Sequence, residues 1–421
     1  MKSYFTKSAF LLLSLVIVKN VAGQEHFRTG VFSNQIKTLE IGNSDNPMMT
    51  PIFMMNDDKP IIIQFDEMSH NPKNYYYSIQ HCDADWTLSS ISDMEAVDGF
   101  AYGPITDYDL SMNTTFLYTH YRFSFPNADT RQLKLSGNYR VRIYENNDPD
   151  KVVAIACFSL VEPKIAINAT IKGNTDVEIN GKYQQLEFTI DNSNFPIKDI
   201  FSEMKVVVRQ NNRMDNQVFD IKPTYTSQTT QTFINNRKLI FEGGNQYRRF
   251  DFSDLYTFGI GIDNIKYVAP YYHVTLFPDD SRAKKPYSGE PDAHGKFVIN
   301  LQKSDNSDAD ADYMFVHFTI PTDDPFFDGS LYILGEMNYN SLDNSVRMEY
   351  DGKVNEYHGV MLLKQGGYNY QYLFVPKGES AGTTQRFEGS FWQAKNAYDI
   401  YVYYRGWSDR YDRLIGVKMM E

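Results

Sequence analysis

Cysteine is scarce in this 421-residue chain. Only Cys82 and Cys157 occur, so multi-cysteine zinc modules and disulfide-framework folds are excluded. Positive charge is also short: 41 Lys and Arg face 53 Asp and Glu, a net charge of −12. A nucleic-acid partner would need a basic face, and this balance argues against one. Beyond the N-terminus no run of 18 apolar residues occurs, so no later segment reads as a membrane-spanning helix. Catalytic signatures are missing too. The chain has no Gly-x-x-x-x-Gly-Lys, no His-Glu-x-x-His and no Gly-x-Ser-x-Gly, and each of these carries a specific chemistry. Gly259 and Gly261 lack the third glycine of a dinucleotide loop. The eight histidines are scattered without metal-ligand spacing. No cofactor and no metal is expected.

Aromatic residues are abundant, with 31 Tyr and 29 Phe, and such side chains suit the pleat of a strand. Period-two alternation recurs. Tyr139, Val141 and Ile143 alternate with Arg140 and Arg142. Met314, Val316, Phe318 and Ile320 alternate with Phe315, His317 and Thr319. Ile400, Val402 and Tyr404 alternate with Asp399, Tyr401 and Tyr403. Each run puts one set of side chains on each face of a strand. Gly366-Gly367 between two such runs predicts a hairpin. One short helix is expected within Thr87–Val97. The fold class is therefore all-β, with tandem immunoglobulin-like or early-set β-sandwiches.

Residues 1–23 read as a secretory leader: Lys2 and Lys7 precede about ten mostly apolar residues, and Val21 and Gly23 suit cleavage before Gln24. Loss of the leader removes three lysines and leaves a more acidic protein. Boundaries at Val161-Glu162-Pro163 and in the acidic stretch Ser304–Asp312 divide the rest into 24–161, 162–305 and 306–421. Cys82 and Cys157 could close one disulfide in an oxidising compartment, or stay as two buried thiols. Asp308, Asp310 and Asp312 alternate like a calcium loop, but Tyr313 and Thr319 stand where an EF-hand needs glycine and glutamate,; a solvated acidic linker fits better. Asp83 and Asp85 beside Trp86 could be paired carboxylates next to a sugar-stacking ring, or a turn anchored by aspartates. Arginine and aromatic residues cluster at Tyr247, Arg248 and Arg249, and again at Trp392, Arg405, Trp407, Arg410 and Tyr411. With Trp86, these are candidate partner-interface residues, because Trp, Tyr and Arg are enriched at binding hot spots. The alternative for the arginines is internal pairing with nearby aspartates.

Four strings resemble one family: Tyr77-Ser-Ile-Gln-His-Cys-Asp-Ala-Asp-Trp86, Gly243-Gly-Asn-Gln-Tyr-Arg-Arg-Phe-Asp251, Leu363-Lys-Gln-Gly-Gly-Tyr-Asn-Tyr-Gln-Tyr372 and Arg410-Tyr-Asp-Arg-Leu-Ile-Gly416. In order along the chain, they resemble the plug proteins of the Bacteroidota type IX secretion system. The resemblance implies a periplasmic, all-β, non-enzymatic protein without a membrane span, monomeric when free. Its implied partner is the giant outer-membrane β-barrel translocon, whose periplasmic mouth it would close. Leu331-Tyr-Ile-Leu-Gly-Glu-Met-Asn338 resembles the opening strand of glycogen-binding, early-set modules, but Tyr339 and Asn340 follow where those modules carry tryptophan. A carbohydrate-binding β-sandwich is the alternative reading. A hydrolase with scattered carboxylates and a membrane barrel are the others; the alternating runs are short for barrel strands.

Overall fold

The computed structural model describes residues 28–43, 46, 48–55, 57–257 and 259–421; the expected leader and its cleavage point lie outside them. Strands make up 46% and helices 5%, as the aromatic alternation requires. The expected short helix is the four-residue turn Asp93–Ala96. Among the described residues no helix is long and apolar enough to cross a membrane.

Three hydrophobic cores organise the strands. In the first, one sheet runs in the order Gly30–Val31, Val152–Val161, Gly137–Glu145, Tyr75–Cys82, Tyr102–Ile105. The facing sheet runs Ile36–Gly42, Ile61–Glu67, Thr119–Phe125, Asp107–Leu110. Tyr139, Val141 and Ile143 meet Ile63, Phe65 and Phe123 between the sheets. The second core lies between a sheet containing Ala166–Lys172, Tyr183–Asp191 and Thr230–Phe233 and a sheet of Met204–Gln210, Tyr398–Tyr404 and Arg413–Met420. The third contains Ile262–Val268, Tyr271–Leu276, Tyr313–Pro321, Glu356–Lys364 and Glu349–Asp351 in one sheet. Arg248–Asp251, Phe297–Ile299, Gly329–Leu334 and Gly366–Pro376 pair in the other.

Val161 ends the last strand of the first core. The cores do not divide at the expected 305/306 boundary. Strands before it, such as Tyr271–Leu276, pair with Tyr313–Pro321 after it. The last two strands return to the second core, where Tyr398–Tyr404 pairs with Met204–Gln210. The third core is thus inserted into the second. Tyr398–Tyr404 buries both faces because Ile400 and Val402 enter the second core while Tyr401 and Tyr403 join Ile52, Ala84 and Val161 from the first.

Gly366-Gly367 is not a hairpin turn. The strands on either side belong to opposite sheets, so the chain crosses the third core there. A Cβ at Gly366 would stand 2.1 Å from the Val298 carbonyl oxygen, and only glycine tolerates that approach.

The acidic stretch before Tyr313 is not a solvated linker either. Asp312 is buried and accepts hydrogen bonds from Thr115 N at 2.8 Å, Thr115 Oγ1 at 2.7 Å and Phe116 N at 3.1 Å. Tyr118 Oη donates to the Ala311 carbonyl at 2.7 Å. Beside them, Lys364 Nζ of the third core lies 2.5 Å from Asp66 Oδ2 of the first, both side chains 1% exposed. Tyr313 Oη donates to Asp66 Oδ2 at 2.6 Å, and His120 Nδ1 stands 2.7 Å from Asp66 Oδ1. Burial alone would raise the Asp66 carboxyl; the Lys364 ammonium and His120 outweigh it and hold it below the usual range,.

Removing one partner of a buried pair leaves the other uncompensated, at a cost of about 3–5 kcal/mol. Lys364→Met should therefore lower stability by about that amount in urea unfolding, and adding Asp66→Asn should recover much of the loss. Equal stability of Lys364→Met and the parent would show that the pair holds nothing together.

Candidate functional site

The four family-like strings meet in two pairs. Asp83 and Asp412 are locked through main-chain amides: Asp412 N donates to Asp83 Oδ1 at 3.0 Å, and Ala84 N donates to Asp412 Oδ2 at 3.0 Å. Arg405 Nη1 lies 3.2 Å from Asp83 Oδ2, and Lys205 Nζ lies 2.8 Å from Asp412 Oδ2. Burial raises the Asp83 carboxyl, and the Asp412 charge adds to it. Tyr403 Oη donates to Asn138 Oδ1 at 2.9 Å beside this knot. Together these contacts bind the second core to the first.

The other two strings pair as antiparallel strands, Arg248 opposite Tyr370 and Phe250 opposite Tyr368. Arg248 donates from Nε and Nη2 to Glu388 at 3.0 Å each, and from Nη1 to Asp279 at 2.6 Å. Arg282 Nε adds a bond to Glu388 at 2.7 Å. Burial would raise the Glu388 carboxyl, but the two guanidiniums keep it below its usual range,.

The candidate interface residues are distributed by these junctions rather than gathered on one face. Trp86 is 6% exposed and packs with Cys82, Ile155 and Cys157; Arg209 lies over its ring. Asp85 caps Thr87, accepting from its amide at 3.0 Å, so the aspartates anchor a turn. Tyr247 is buried, and its hydroxyl accepts from Gln371 at 3.1 Å. Trp392 is half-buried on Gly173, its ring standing where a Cβ would be. Tyr411 sets its ring edge-on to His81. Arg248 and Arg405 are spent on the carboxylates above. Arg410 is exposed and paired with Glu95, Arg249 is exposed, and Trp407 is 98% exposed. Neither Trp86 nor Trp392 presents the open platform that sugar stacking needs.

The disulfide expectation is corrected. Cys82 and Cys157 lie on Tyr75–Cys82 and Val152–Val161, with Gly137–Glu145 between them. Two strand spacings are about 9.5 Å, beyond the roughly 7 Å Cα reach of a disulfide. Both sulfurs are buried, and burial pushes the Cys157 thiol well up.

Sequence reasoning missed the Asp66, His120, Tyr313 and Lys364 cluster. Lys364 within an otherwise apolar run was its one local signal. Among the described residues no group of three or more His, Cys, Asp or Glu is placed to hold a metal. Asp312 faces amides, while Asp310 accepts from Ser304 Oγ at 2.5 Å. A cavity of about 130 Å³ lies where the three cores meet, lined by Trp86, Arg209, Glu40 and Glu336 among others. Burial, with the charges of Asp308 and Asp66 adding, pushes the Glu40 carboxyl up to about 7, although Gln64 Nε2 donates to it at 2.9 Å.

The folded chain therefore keeps a proton on Glu40 that the unfolded chain releases near its ordinary pKa. Stability falls as pH rises from about 4.5 through about 7. Glu40→Gln retains an acceptor for Gln64. It should stabilise the protein by about 2 kcal/mol at pH 8 and by almost nothing at pH 4.5. Thermal midpoints across this range test it; a gain independent of pH would refute the assignment.

Comparison with known proteins agrees with this architecture. The family model described as "Type 9 secretion system plug protein 1st domain" matches residues 36–162, nearly the whole first core. No curated protein matches the chain. The crystal structure of a hypothetical protein from Parabacteroides merdae is similar at 42% identity with a TM-score of 0.91, over 94% of this chain and 100% of that one. The first core of this chain, residues 36–162, is therefore a first domain of the type IX secretion system plug family.

Proposed function

We propose that this chain is a non-enzymatic periplasmic protein that binds the periplasmic opening of the type IX outer-membrane translocon barrel. It closes that opening when no cargo passes. The match of residues 36–162 to the plug module carries the reading. The physical build supports it. A barrel wide enough for folded cargo is an aqueous leak, since barrel diameter grows with strand number. Closing it requires a stiff body of matching breadth rather than a reaction. Three cores joined by buried ion pairs give stiffness, and a chain of this length spans more than about 50 Å on ordinary compactness scaling. The net charge of −12 favours solubility of the unbound form.

The exposed members of the aromatic and arginine clusters, Trp407 foremost, are the contacts proposed for the barrel. Burying an exposed tryptophan in a partner's pocket is a common source of hot-spot energy. A tagged chain should recover the translocon barrel from solubilised outer membranes. Trp407→Ala should reduce that recovery at least fivefold with no change in thermal midpoint. Deleting the gene should raise outer-membrane permeability to large solutes. Unchanged permeability, together with no barrel recovered by the tagged protein, would remove the proposal.

A further inference from the structure

Three open strand edges converge on one groove. Gly30–Val31 is the outermost strand of its sheet, and Ile36–Gly42 is the outermost strand of the facing sheet. In the third core, Glu356–Lys364 is flanked on its outer side by Glu349–Asp351 only at Glu356–His358. Among the described residues, no strand pairs with that side of Val360–Leu363. These segments bound a groove of about 510 Å³. An open edge exposes main-chain donors and acceptors and templates the addition of another strand.

The groove is built before any partner arrives. A bulge breaks the register of Ile36–Gly42 between Lys37 and Glu40, with Thr38 at φ 48°. The bulge carries Thr38 Oγ1 to 2.6 Å from Tyr313 Oη, while Leu39 N donates to Tyr339 Oη at 3.0 Å. One wall is thereby fixed to the third core, so little ordering cost remains for binding.

The charge in the groove differs in sign from that of the chain. Its charged lining residues are Arg28, Lys37 and Asp343. Asp343 already accepts from Ser341 and Ser345 and faces the Arg28 charge. Lys37 differs: among the described residues its ammonium makes no ion pair or hydrogen bond, and burial lowers its pKa. An ammonium partly withdrawn from water without a counter-charge is costly, and an incoming carboxylate offsets that cost. Val31, Val360 and Met361 supply apolar walls beside it.

We propose that this groove takes an extended, acidic segment of a partner polypeptide, which adds to the open side of Val360–Leu363 as a further strand and sets a carboxylate against Lys37 on the facing wall. The proposal stands apart from the translocon reading, because its test contains no translocon component. The probe is a fluorescent heptapeptide of alternating valine and threonine with a central glutamate, titrated with the full chain and followed by anisotropy. Saturable binding is expected, at least tenfold tighter than for the same peptide with a central lysine, and Lys37→Glu should invert that preference. Should Lys37→Glu disturb folding through its neighbour Asp66, Val360→Glu on the opposite wall provides the second variant. Val360 is 48% exposed, so this change should leave the thermal midpoint unchanged and weaken binding at least fivefold. No saturable binding, equal affinity for both peptides, or no loss in the folded variants overturns the proposal. So does a dimer in light scattering that excess peptide fails to dissociate, since a second copy would then occupy the groove.

Discussion

An ammonium and a carboxylate sealed from water at the seam between two β-sandwiches constrain much of this molecule. Lys364 and Asp66 are each 1% exposed. A pair so placed contributes little net energy against well-packed apolar groups. Its force lies in intolerance of separation, because pulling the sandwiches apart would strand both charges. Tyr313, His120 and the main chain around Asp308 fill the remaining hydrogen-bonding positions. The first and third cores consequently have one relative placement that keeps these bonds, at the cost of leaving His120 Nε2 buried without a hydrogen-bond partner.

The same logic recurs at the other seams. The Asp83–Asp412 knot fixes the second core to the first, and Glu388 under two arginines braces the strand that leaves the second core for the third. Loops linking independent sandwiches would allow relative motion by default. Here the linking segments are consumed in polar contacts, which gives one body instead of a flexible string. The obstruction proposed for this chain would draw on that property.

Strand positions were legible in the sequence because alternation is local: Tyr139 to Ile143, Met314 to Ile320 and Ile400 to Tyr404 announce their own pleat. Pairing was not legible. Asp66 and Lys364 lie 298 positions apart, and nothing in either neighbourhood names the other. Gly366-Gly367 carries the composition of a hairpin turn, while its glycine is required by the Val298 carbonyl in a different strand. Asp312 reads as a solvent residue until the amides of Thr115 and Phe116 are brought to it. Trp86 and Tyr247 have the chemistry of a binding face, yet the seams between cores use that chemistry first. Two of the four family-like strings encode the seam between the first and second cores, and the other two pair inside the third.

Insertion of the third core into the second has a consequence for biogenesis. Strands Tyr398–Tyr404 and Arg413–Met420 supply two of the three members of a second-core sheet. During N-to-C synthesis the sheet begun by Met204–Gln210 must wait, half-made, for about 190 further residues. Ring closure over such a span costs entropy that grows only slowly with length, but the waiting edge is open to wrong partners throughout. A nascent chain of this kind is a natural client for holding chaperones. Clipping after the third core would remove the second core's keystone rather than a dispensable tail.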